Sequence, residues 1–311
     1  MFVISLALLV GVLGILGGMK IMRHGLQAFA GSHLRRLLIW ITQTPSRGFL
    51  SGILLTALLQ SSTALTVMSV SFVDAGLLSL ENTLALILGS NIGTTVTTQL
   101  LAFPLHQLAV ILLPVSTIGY VWLRSRFRFF ALALSGLSLL FCGIALLQSL
   151  LSPLAETPLI QNYLHSLGDH HLRGILAGTL LSALLHSSSA TTGIVMLLLS
   201  EGWLTLPTAF CFVLGANIGT CFTAVAASLA SSPPARKVAV FHVLLNVFGV
   251  LLFFPWIQPL SRFITWFDGN PARQVAHAHT IFNLASSLIV LPFLSLIVRW
   301  LPPFGQNFNN S

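Results

Sequence analysis

Charged residues are scarce in this chain, and acidic residues are the scarcest of them. The 311 residues include 14 Lys and Arg but only six Asp and Glu, while 55% are hydrophobic and the mean hydropathy is +0.93. So few charges cannot cover the surface of a soluble protein, and several uncharged stretches approach the roughly 20 residues that span a bilayer. The composition excludes a soluble globular protein and indicates a multi-pass membrane protein embedded in a lipid bilayer.

Cysteine is also rare, and long runs of basic residues are missing. The three cysteines lie in apolar segments without the spacing of metal sites or disulfide frameworks, so we expect no cofactor other than coupling ions. The net charge of +8 comes from single residues and short groups at the ends of apolar segments. Positive-inside anchoring explains that placement better than nucleic-acid binding. The uncharged first nineteen residues lack the marks of a cleaved secretory signal, so we expect a retained helix.

What the chain does contain is a pair of polar motifs that occurs twice, 126 residues apart. Thr56-Ala-Leu-Leu-Gln-Ser-Ser-Thr63 returns as Ser182-Ala-Leu-Leu-His-Ser-Ser-Ser189, and Gly89-Ser-Asn-Ile-Gly-Thr-Thr95 returns as Gly215-Ala-Asn-Ile-Gly-Thr-Cys221. Between windows 47–98 and 173–224, 23 of 52 positions are identical. Eleven of the 23 identities are hydroxyl, amide or glycine residues, and those within the two motifs indicate a duplicated site.

The apolar stretches predict an all-α membrane protein with about seven full crossings and two re-entrant helical hairpins. The hairpins are segments 48–74 and 174–200, each interrupted at its middle by a polar run, as tolerated at membrane depth where helix breaks face a cavity. We also expect the helices that carry Asn-Ile-Gly-Thr to be broken, because their glycines would let the backbone unwind. The predicted crossings are 2–22, 77–104, 106–123, 129–151, 202–230, 238–254 and 274–298, with 77–104 and 202–230 the broken helices.

Loop charge favours hairpins that turn back over hairpins that cross. If both turn back, eleven of the fourteen basic residues fall on one side of the membrane, and only Arg173, Arg262 and Arg273 lie opposite. Three crossings then separate the two copies, so the second copy is inverted. The predicted divisions are a first repeat over 1–128, an inverted second repeat over 129–300 with an extra helix at 274–298, and a tail over 301–311. We expect a multi-pass protein of the cell (inner) membrane with a cytoplasmic C-terminus.

The chemistry of the repeated motifs suits anion and cation binding. Inverted repeats built from broken helices are typical of secondary transporters, which bind substrate and coupling ions near the midplane. A helix that restarts after Gln60 or His186 points unpaired backbone N–H groups and a positive dipole end at the pocket. Two such ends facing each other predict an anion site that needs no lysine or arginine. Neutral carbonyl, amide and hydroxyl oxygens are hard ligands suited to sodium.

Three other interpretations of the motifs are compatible with the sequence. Ser, Thr and Gly also occur where membrane helices pack closely, although packing does not require two polar clusters repeated at one interval. An intramembrane hydrolase would need a base and an oriented partner beside its serine. The first copy repeats the serines but has Gln60 where the second has His186, so it lacks the base that such a hydrolase needs. We therefore expect no catalytic residues and no enzyme. An anion channel or sensor could use the same pocket.

At these motifs the chain resembles the sodium-dependent phosphate cotransporter family, bacterial relatives of the animal type II sodium/phosphate symporters. The resemblance includes the Gly-rich opening Leu13–Lys20, both repeated motifs, and the closing Ala276–Asn283. It implies sodium-coupled symport of inorganic phosphate by alternating access. The implied phosphate-binding residues are Gln60, Ser61, Ser62, Thr63, His186, Ser187, Ser188 and Ser189. The implied sodium or pocket residues are Thr66, Asn91, Thr94, Thr95, Thr192, Asn217 and Thr220.

The chain departs from the family pattern, which reads Gln-Ser-Ser-Ser in both copies, at two positions. Thr63 replaces a serine and keeps its hydroxyl, whereas His186 replaces the glutamine and can gain a proton. We therefore hypothesise pH-sensitive or partly proton-coupled transport, with a buried neutral histidine as the alternative. Efflux instead of uptake, a related oxyanion instead of phosphate, and a homodimer are further alternatives.

Overall fold

The computed structural model describes residues 2–30, 42–154 and 170–301, and every regular element in these ranges is a helix. The α-helices, in chain order, are α1 (Phe2–Ala30), α2 (Pro45–Leu59), α3 (Ser62–Asp74), α4 (Leu80–Leu101), α5 (His106–Trp122), α6 (Phe127–Leu154), α7 (His171–Leu185), α8 (Ser188–Ser200), α9 (Leu206–Ser228), α10 (Pro233–Phe253), α11 (Ile257–Phe267), α12 (Pro271–Val290) and α13 (Leu294–Trp300). The predicted tail after 301 lies outside the described residues.

Within the described residues, six helical segments are long and apolar enough to cross a membrane, which confirms a multi-pass membrane protein. They are Leu6–Phe29, Leu80–Leu101, Phe127–Leu150, Leu206–Ser228, Pro233–Phe267 and Pro271–Trp300. The seventh predicted crossing, at 106–123, is the shorter helix α5, with an apolar part over Gln107–Trp122. Two of the six contain 3-10 turns, at Phe254–Trp256 and Leu291–Phe293. Each turn contains a proline, which cannot donate the backbone hydrogen bond of a regular helix.

Both predicted hairpin segments are broken into pairs of short helices, as the sequence predicts. In the first hairpin α2 ends at Leu59 and α3 begins at Ser62, and in the second α7 ends at Leu185 and α8 begins at Ser188. The break therefore falls at the same motif position in both copies. A polar side chain also caps the long helix that follows each hairpin: Ser79 Oγ accepts from Asn82 N, and Thr205 Oγ1 accepts from Thr208 N.

The predicted breaks in helices 77–104 and 202–230 are wrong. Both α4 and α9 are continuous through their Asn-Ile-Gly-Thr motifs. The motif glycines serve close packing instead of unwinding: a Cβ on Gly89 would overlap the carbonyl oxygen of Phe49, and one on Gly215 would overlap that of Ile175. Glycine at these positions lets the first arm of each hairpin lie directly against the long helix that follows it.

The helices form a central group and a flanking group. The hairpins pack on α4 and α9, while α12 runs between α4, α8, α9 and α10. The flanking group consists of α1, α5 and α6, with α1 and α5 both packed against α6. Gly18 of α1 and Gly136 of α6 allow these two helices to approach closely. Only a few residues of α1 contact the hairpins, and one hydrophobic cluster, which includes Met19 of α1 and Ala190 of α8, continues from the flanking group into the central group.

Candidate functional site

The backbone at both hairpin tips has the same unusual conformation. Gln60 has φ 53° and ψ 30°, and His186 has φ 50° and ψ 32°, so both residues are in the left-handed region that glycine usually occupies. For a residue with a Cβ this conformation costs about 1–2 kcal/mol. Side chains other than glycine at both positions indicate that the amide and the imidazole have a role that offsets this cost.

A serine follows each of these residues and caps the next helix. Ser61 Oγ accepts a hydrogen bond from Ala64 N at 3.2 Å, and Ser187 Oγ accepts one from Ala190 N at the same distance. The first turns of α3 and α8 therefore begin at equivalent points, with their positive ends at the hairpin tips. Most predicted phosphate residues are buried there, namely Gln60, Ser61, Ser187, Ser188 and Ser189, while Ser62 and Thr63 are half-buried and His186 is exposed.

The two tips, 126 residues apart in sequence, meet in space. Thr63 Oγ1 of the first tip donates to the carbonyl oxygen of His186 in the second tip at 3.5 Å. Arg23 of α1 joins them more closely: its Nε donates to the carbonyl oxygen of Gln60 and its Nη2 to Ser187 Oγ, both at 2.9 Å. The predicted juxtaposition of the two serine-rich breaks is therefore present in the structure.

An arginine lies at the contact between the tips, although the sequence predicts an anion site that needs no lysine or arginine. The predicted first crossing ends at residue 22, whereas α1 continues to Ala30 and therefore includes Arg23. Two signals in the sequence pointed to the longer helix. No proline occurs between Met22 and Pro45, and Lys20, Arg23 and Gln27 have the spacing of one helix face.

The Asn-Ile-Gly-Thr residues are buried in the helix interface behind the tips. Asn91 Nδ2 donates to Asn246 Oδ1 of α10 at 3.4 Å, whereas Asn217 Nδ2 donates to the carbonyl oxygen of Val213 in its own helix at 2.8 Å. The hydroxyls of Thr94, Thr95 and Thr220 donate to carbonyl oxygens of their own helices, at 2.9, 2.7 and 2.9 Å. Each hydroxyl oxygen keeps lone pairs that can face a cation.

Several buried oxygens near the tips have no hydrogen-bond partner. They include Gln60 Oε1 and the hydroxyls of Thr66 and Thr192, which are equivalent positions of α3 and α8. Among the described residues, no group of three or more His, Cys, Asp and Glu side chains could hold a metal ion. The donors available for a cation at this site are thus neutral oxygens, which suit a weakly held alkali ion better than a transition metal.

The histidine of the second tip lies against the long helix of its own repeat. His186 Nδ1 is 3.1 Å from Thr223 Oγ1, and the imidazole lines a cavity instead of being buried. The alternative of a buried neutral histidine is therefore wrong for this residue. A second histidine, His279 of α12, is buried deeper, where Nδ1 lies 2.9 Å from Thr98 Oγ1 and Nε2 has no partner.

Comparison with known proteins gives a family match over most of the chain. The sequence matches the Na+/Pi-cotransporter family twice, over residues 15–149 and again over 150–267. It is 35% identical to the uncharacterized protein YqeW of Bacillus subtilis over 253 residues, which cover 81% of this chain and 82% of that protein. No solved structure matches.

Two further relatives have names that describe a function. The chain is 29% identical over 246 residues to YjbB of Salmonella typhimurium, which is named as a proposed inorganic phosphate export protein; the match covers 79% of this chain and 45% of YjbB. This chain therefore spans about half the length of that relative. It is also 40% identical over 84 residues to the human sodium-dependent phosphate transport protein 2C, covering 26% of this chain and 14% of the human protein.

Proposed function

Because this chain belongs to the Na+/Pi-cotransporter family, we propose that it is a secondary active transporter that couples inorganic phosphate to sodium by alternating access. The observation that carries the proposal is the meeting of two equivalent hairpin tips, each with a left-handed residue followed by a capping serine. A duplicated site at the contact between two repeats is the arrangement that alternating access requires. The family is one of transporters, and no catalytic role is proposed for any residue.

The phosphate site proposed here lies between the two tips. The free backbone N–H groups at the starts of α3 and α8 supply donors with a positive helix end behind them, which is a favourable environment for phosphate oxygens. The hydroxyls of Ser61, Ser62, Thr63, Ser187, Ser188 and Ser189 add further donors, with Gln60 and His186 at the ends of the preceding helices.

Sodium binding is proposed at the buried neutral oxygens next to these tips. Gln60 Oε1, Thr66 Oγ1 and Thr192 Oγ1 have no partner, and a buried polar atom without a partner costs free energy that a bound cation would offset. Asn91, Thr94, Thr95, Asn217 and Thr220 are the further ligand candidates, because their oxygens lie in the same buried interface. Sodium close to the phosphate would also compensate its charge, which explains physically why the two would bind together.

We also propose the inverted arrangement of the two repeats in the cell (inner) membrane, with a cytoplasmic C-terminus. The loop charges support it, because re-entrant hairpins place most basic residues on one side. The matching backbone at both tips supports a common ancestral unit. Efflux of phosphate with a proton influence is a second candidate, favoured by the access of His186 to a cavity; a channel or sensor is the third.

Uptake of labelled phosphate into proteoliposomes tests the proposal. We expect accumulation that depends on an inward sodium gradient, and we expect Gln60→Ala to reduce it at least tenfold, because the amide at the first tip is lost. Gln107→Ala, which changes an exposed glutamine of α5, is the matched control and keeps wild-type uptake. Accumulation without a sodium gradient, or full activity in Gln60→Ala, would contradict sodium-coupled symport through this site.

A further inference from the structure

A cavity of about 490 Å³ lies between α1 and the second hairpin. One face of α1 contributes Lys20, Arg23 and His24 to its wall, and the second tip contributes His186 and Ser187. The cavity adjoins the tip contact, since Arg23 bonds to both tips from its inner end.

The wall of this cavity combines positive charge with an absence of acids. Lys20 and Arg23 give it two basic side chains, and His24 and His186 are two histidines. None of the residues that line it is acidic. The acceptors of Arg23 in the described structure are a carbonyl and a hydroxyl, both neutral. A half-buried guanidinium with neutral acceptors only is incompletely compensated, and a bound anion would supply the missing charge.

We propose that this cavity is an oxyanion-binding site and that Arg23 is its principal ligand. When inorganic phosphate arrives, its oxygens replace the Gln60 carbonyl and the Ser187 hydroxyl as acceptors of the guanidinium. Arginine presents five N–H donors in a planar fork that matches phosphate oxygens in pairs, and the two contacts in the structure use two of them. Lys20 and His24 extend the positive wall and attract the anion from outside.

This inference rests on the proposed phosphate transport and adds a charged ligand to it. It also assigns a second consequence to the same event. Arg23 is the residue of α1 that bonds to both tips, so moving its donors to phosphate removes these hydrogen bonds and leaves the apolar packing between the two groups. Substrate binding would thereby loosen the contact that holds the two groups in the described arrangement.

Two sources of phosphate chemistry could fill the cavity, namely free inorganic phosphate and the head group of an anionic lipid. We assign the site to inorganic phosphate, because the donors of Arg23 end at the tips and not at the outer surface of α1. Lys20 and His24 are exposed and would be the contacts of a lipid head group. Binding of inorganic phosphate therefore depends mainly on Arg23, whereas binding of a lipid head group depends mainly on Lys20 and His24.

Binding of labelled inorganic phosphate to the purified full chain at saturating sodium tests the assignment. We expect Arg23→Gln to weaken phosphate binding at least tenfold, or about 1.4 kcal/mol, and Arg23→Lys to lose less, because it keeps the charge without the fork. Arg47→Gln, an exposed arginine at the start of the first hairpin, is the control and keeps the wild-type affinity. The same variants are assayed in neutral-lipid nanodiscs and in nanodiscs containing an anionic phospholipid.

Three outcomes decide the matter. Arg23→Gln with phosphate affinity within twofold of wild type overturns the assignment, as does an effect of Lys20→Gln and Arg23→Gln that occurs only with anionic lipid. A structural tie alone would lower the ligand-free unfolding temperature of Arg23→Gln but leave the increase caused by phosphate intact, and that result also overturns it. Failure of the proposed function looks different, because wild type itself would then show no sodium-driven phosphate uptake.

Discussion

The two hairpins have nearly the same backbone and different electrostatics. Gln60 and His186 differ by only a few degrees in φ and ψ, and the serine after each caps its helix with the same hydrogen bond. Charge, by contrast, comes from the first repeat only, where Arg23 of α1 bonds to both tips. The equivalent position of the second repeat, 126 residues later in α6, is Ser149, whose hydroxyl donates to the carbonyl oxygen of Leu146 in its own helix. The geometry of the site is duplicated, while its positive charge is not.

A smaller difference lies behind the tips. In the first repeat Thr56 Oγ1 and Ser90 Oγ are 2.8 Å apart and bonded, whereas the equivalent residues of the second repeat are Ser182 and Ala216, and the Ser182 hydroxyl has no partner. The second repeat instead has a hydrogen bond from Thr179 Oγ1 to the carbonyl oxygen of Gly215 at 3.1 Å. The contact between hairpin arm and long helix is thus stabilised by different hydrogen bonds in the two copies. The two repeats therefore share their packing contacts and differ in their polar contacts.

The largest expected effect concerns what the two copies share, their glycine contacts. Gly89→Ala and Gly215→Ala each place a methyl group against a backbone carbonyl of the hairpin arm. Overpacking typically costs 1–3 kcal/mol, and we expect at least this loss of stability, with a similar value in both repeats because the contacts are equivalent. Thermal unfolding of the purified variants in detergent measures it.

Gly17→Ala is the matched control for this pair. A methyl group there meets no atom within 4 Å, and alanine is the better helix former, so stability is expected to stay equal or rise slightly. If Gly89→Ala were as stable as Gly17→Ala, the close packing of α2 on α4 would be incorrect. If only one of the repeat variants were destabilised, the packing would not be equivalent.

The next effect separates the two capping serines. Ser61→Ala removes a helix cap worth about 1 kcal/mol, and Ser187→Ala removes the equivalent cap together with an acceptor of Arg23. We expect sodium-driven phosphate uptake to fall at least tenfold in Ser187→Ala and by a smaller factor in Ser61→Ala. Proteoliposome uptake at matched protein density measures the ratio.

Ser71→Ala serves as the control, because this exposed hydroxyl of α3 donates only to the carbonyl oxygen of Val67 in its own helix. It should leave uptake unchanged. Equal losses of uptake in Ser61→Ala and Ser187→Ala would contradict a special role for the hydrogen bond from Arg23 to Ser187. The two serines would then act only as equivalent helix caps.

The sequence predicted the duplicated part of the molecule and missed the part that is not duplicated. Repetition at 126 residues identified both tips, and polar interruption of apolar runs placed their breaks at Gln60 and His186. Arg23 was missed because positive-inside reasoning treats basic residues as loop markers, whereas this one lies within a helix. A residue that occurs once carries no repeat signal, and only the fold shows that it reaches both tips.

The Asn-Ile-Gly-Thr motifs show a different limit of sequence reasoning. Glycine within a membrane helix is compatible with unwinding and with close packing, and the motif alone does not distinguish them. What decides is the neighbour: the arm of each hairpin lies so close to Gly89 and Gly215 that a side chain there would overlap it. That contact joins segments about 40 residues apart, and local sequence does not reveal it.

The third prediction uses the position at which the tips differ in chemistry, Gln60 in the first and His186 in the second. Histidine changes charge between pH 5 and 8, and His186 shares its cavity with Lys20, Arg23 and His24, while Thr223 is its hydrogen-bond partner. We expect His186→Gln to flatten the pH dependence of phosphate uptake by a few fold at the acidic end and to change uptake little at pH 8. The readout is the ratio of initial uptake rates at pH 6 and pH 8.

Gln60→His makes the first tip resemble the second and completes the comparison. It should add pH dependence at the first tip, so the ratio of rates rises above the wild-type value. A His186→Gln variant with the wild-type pH profile would show that the asymmetry between the tips is chemically silent. His24→Gln is needed alongside, because this neighbour lines the same cavity.

The smallest effect concerns the loop between α11 and α12, downstream of both hairpins. Asp268 accepts two hydrogen bonds from Arg273, at 2.8 Å each, one from Asn270 N at 2.9 Å, and lies 3.0 Å from His277 Nε2. These contacts, with Arg273 foremost, hold the pKa of the Asp268 carboxyl below its ordinary value. A lowered pKa in the folded state stabilises the fold above the ordinary carboxyl pKa, and that stability is lost as pH falls towards the lowered value.

We therefore expect the unfolding temperature of the wild type to fall between about pH 5 and pH 3, and Asp268→Asn to fall less over that interval. At pH 7 the variant should unfold about 2 °C lower, because an ion pair whose arginine side chain is 45% exposed contributes little. Arg273→Gln removes the main cause of the lowered pKa and should reproduce the flatter slope. Asp268→Asn with the wild-type slope would show that the acid sensitivity over this interval arises at another carboxyl group.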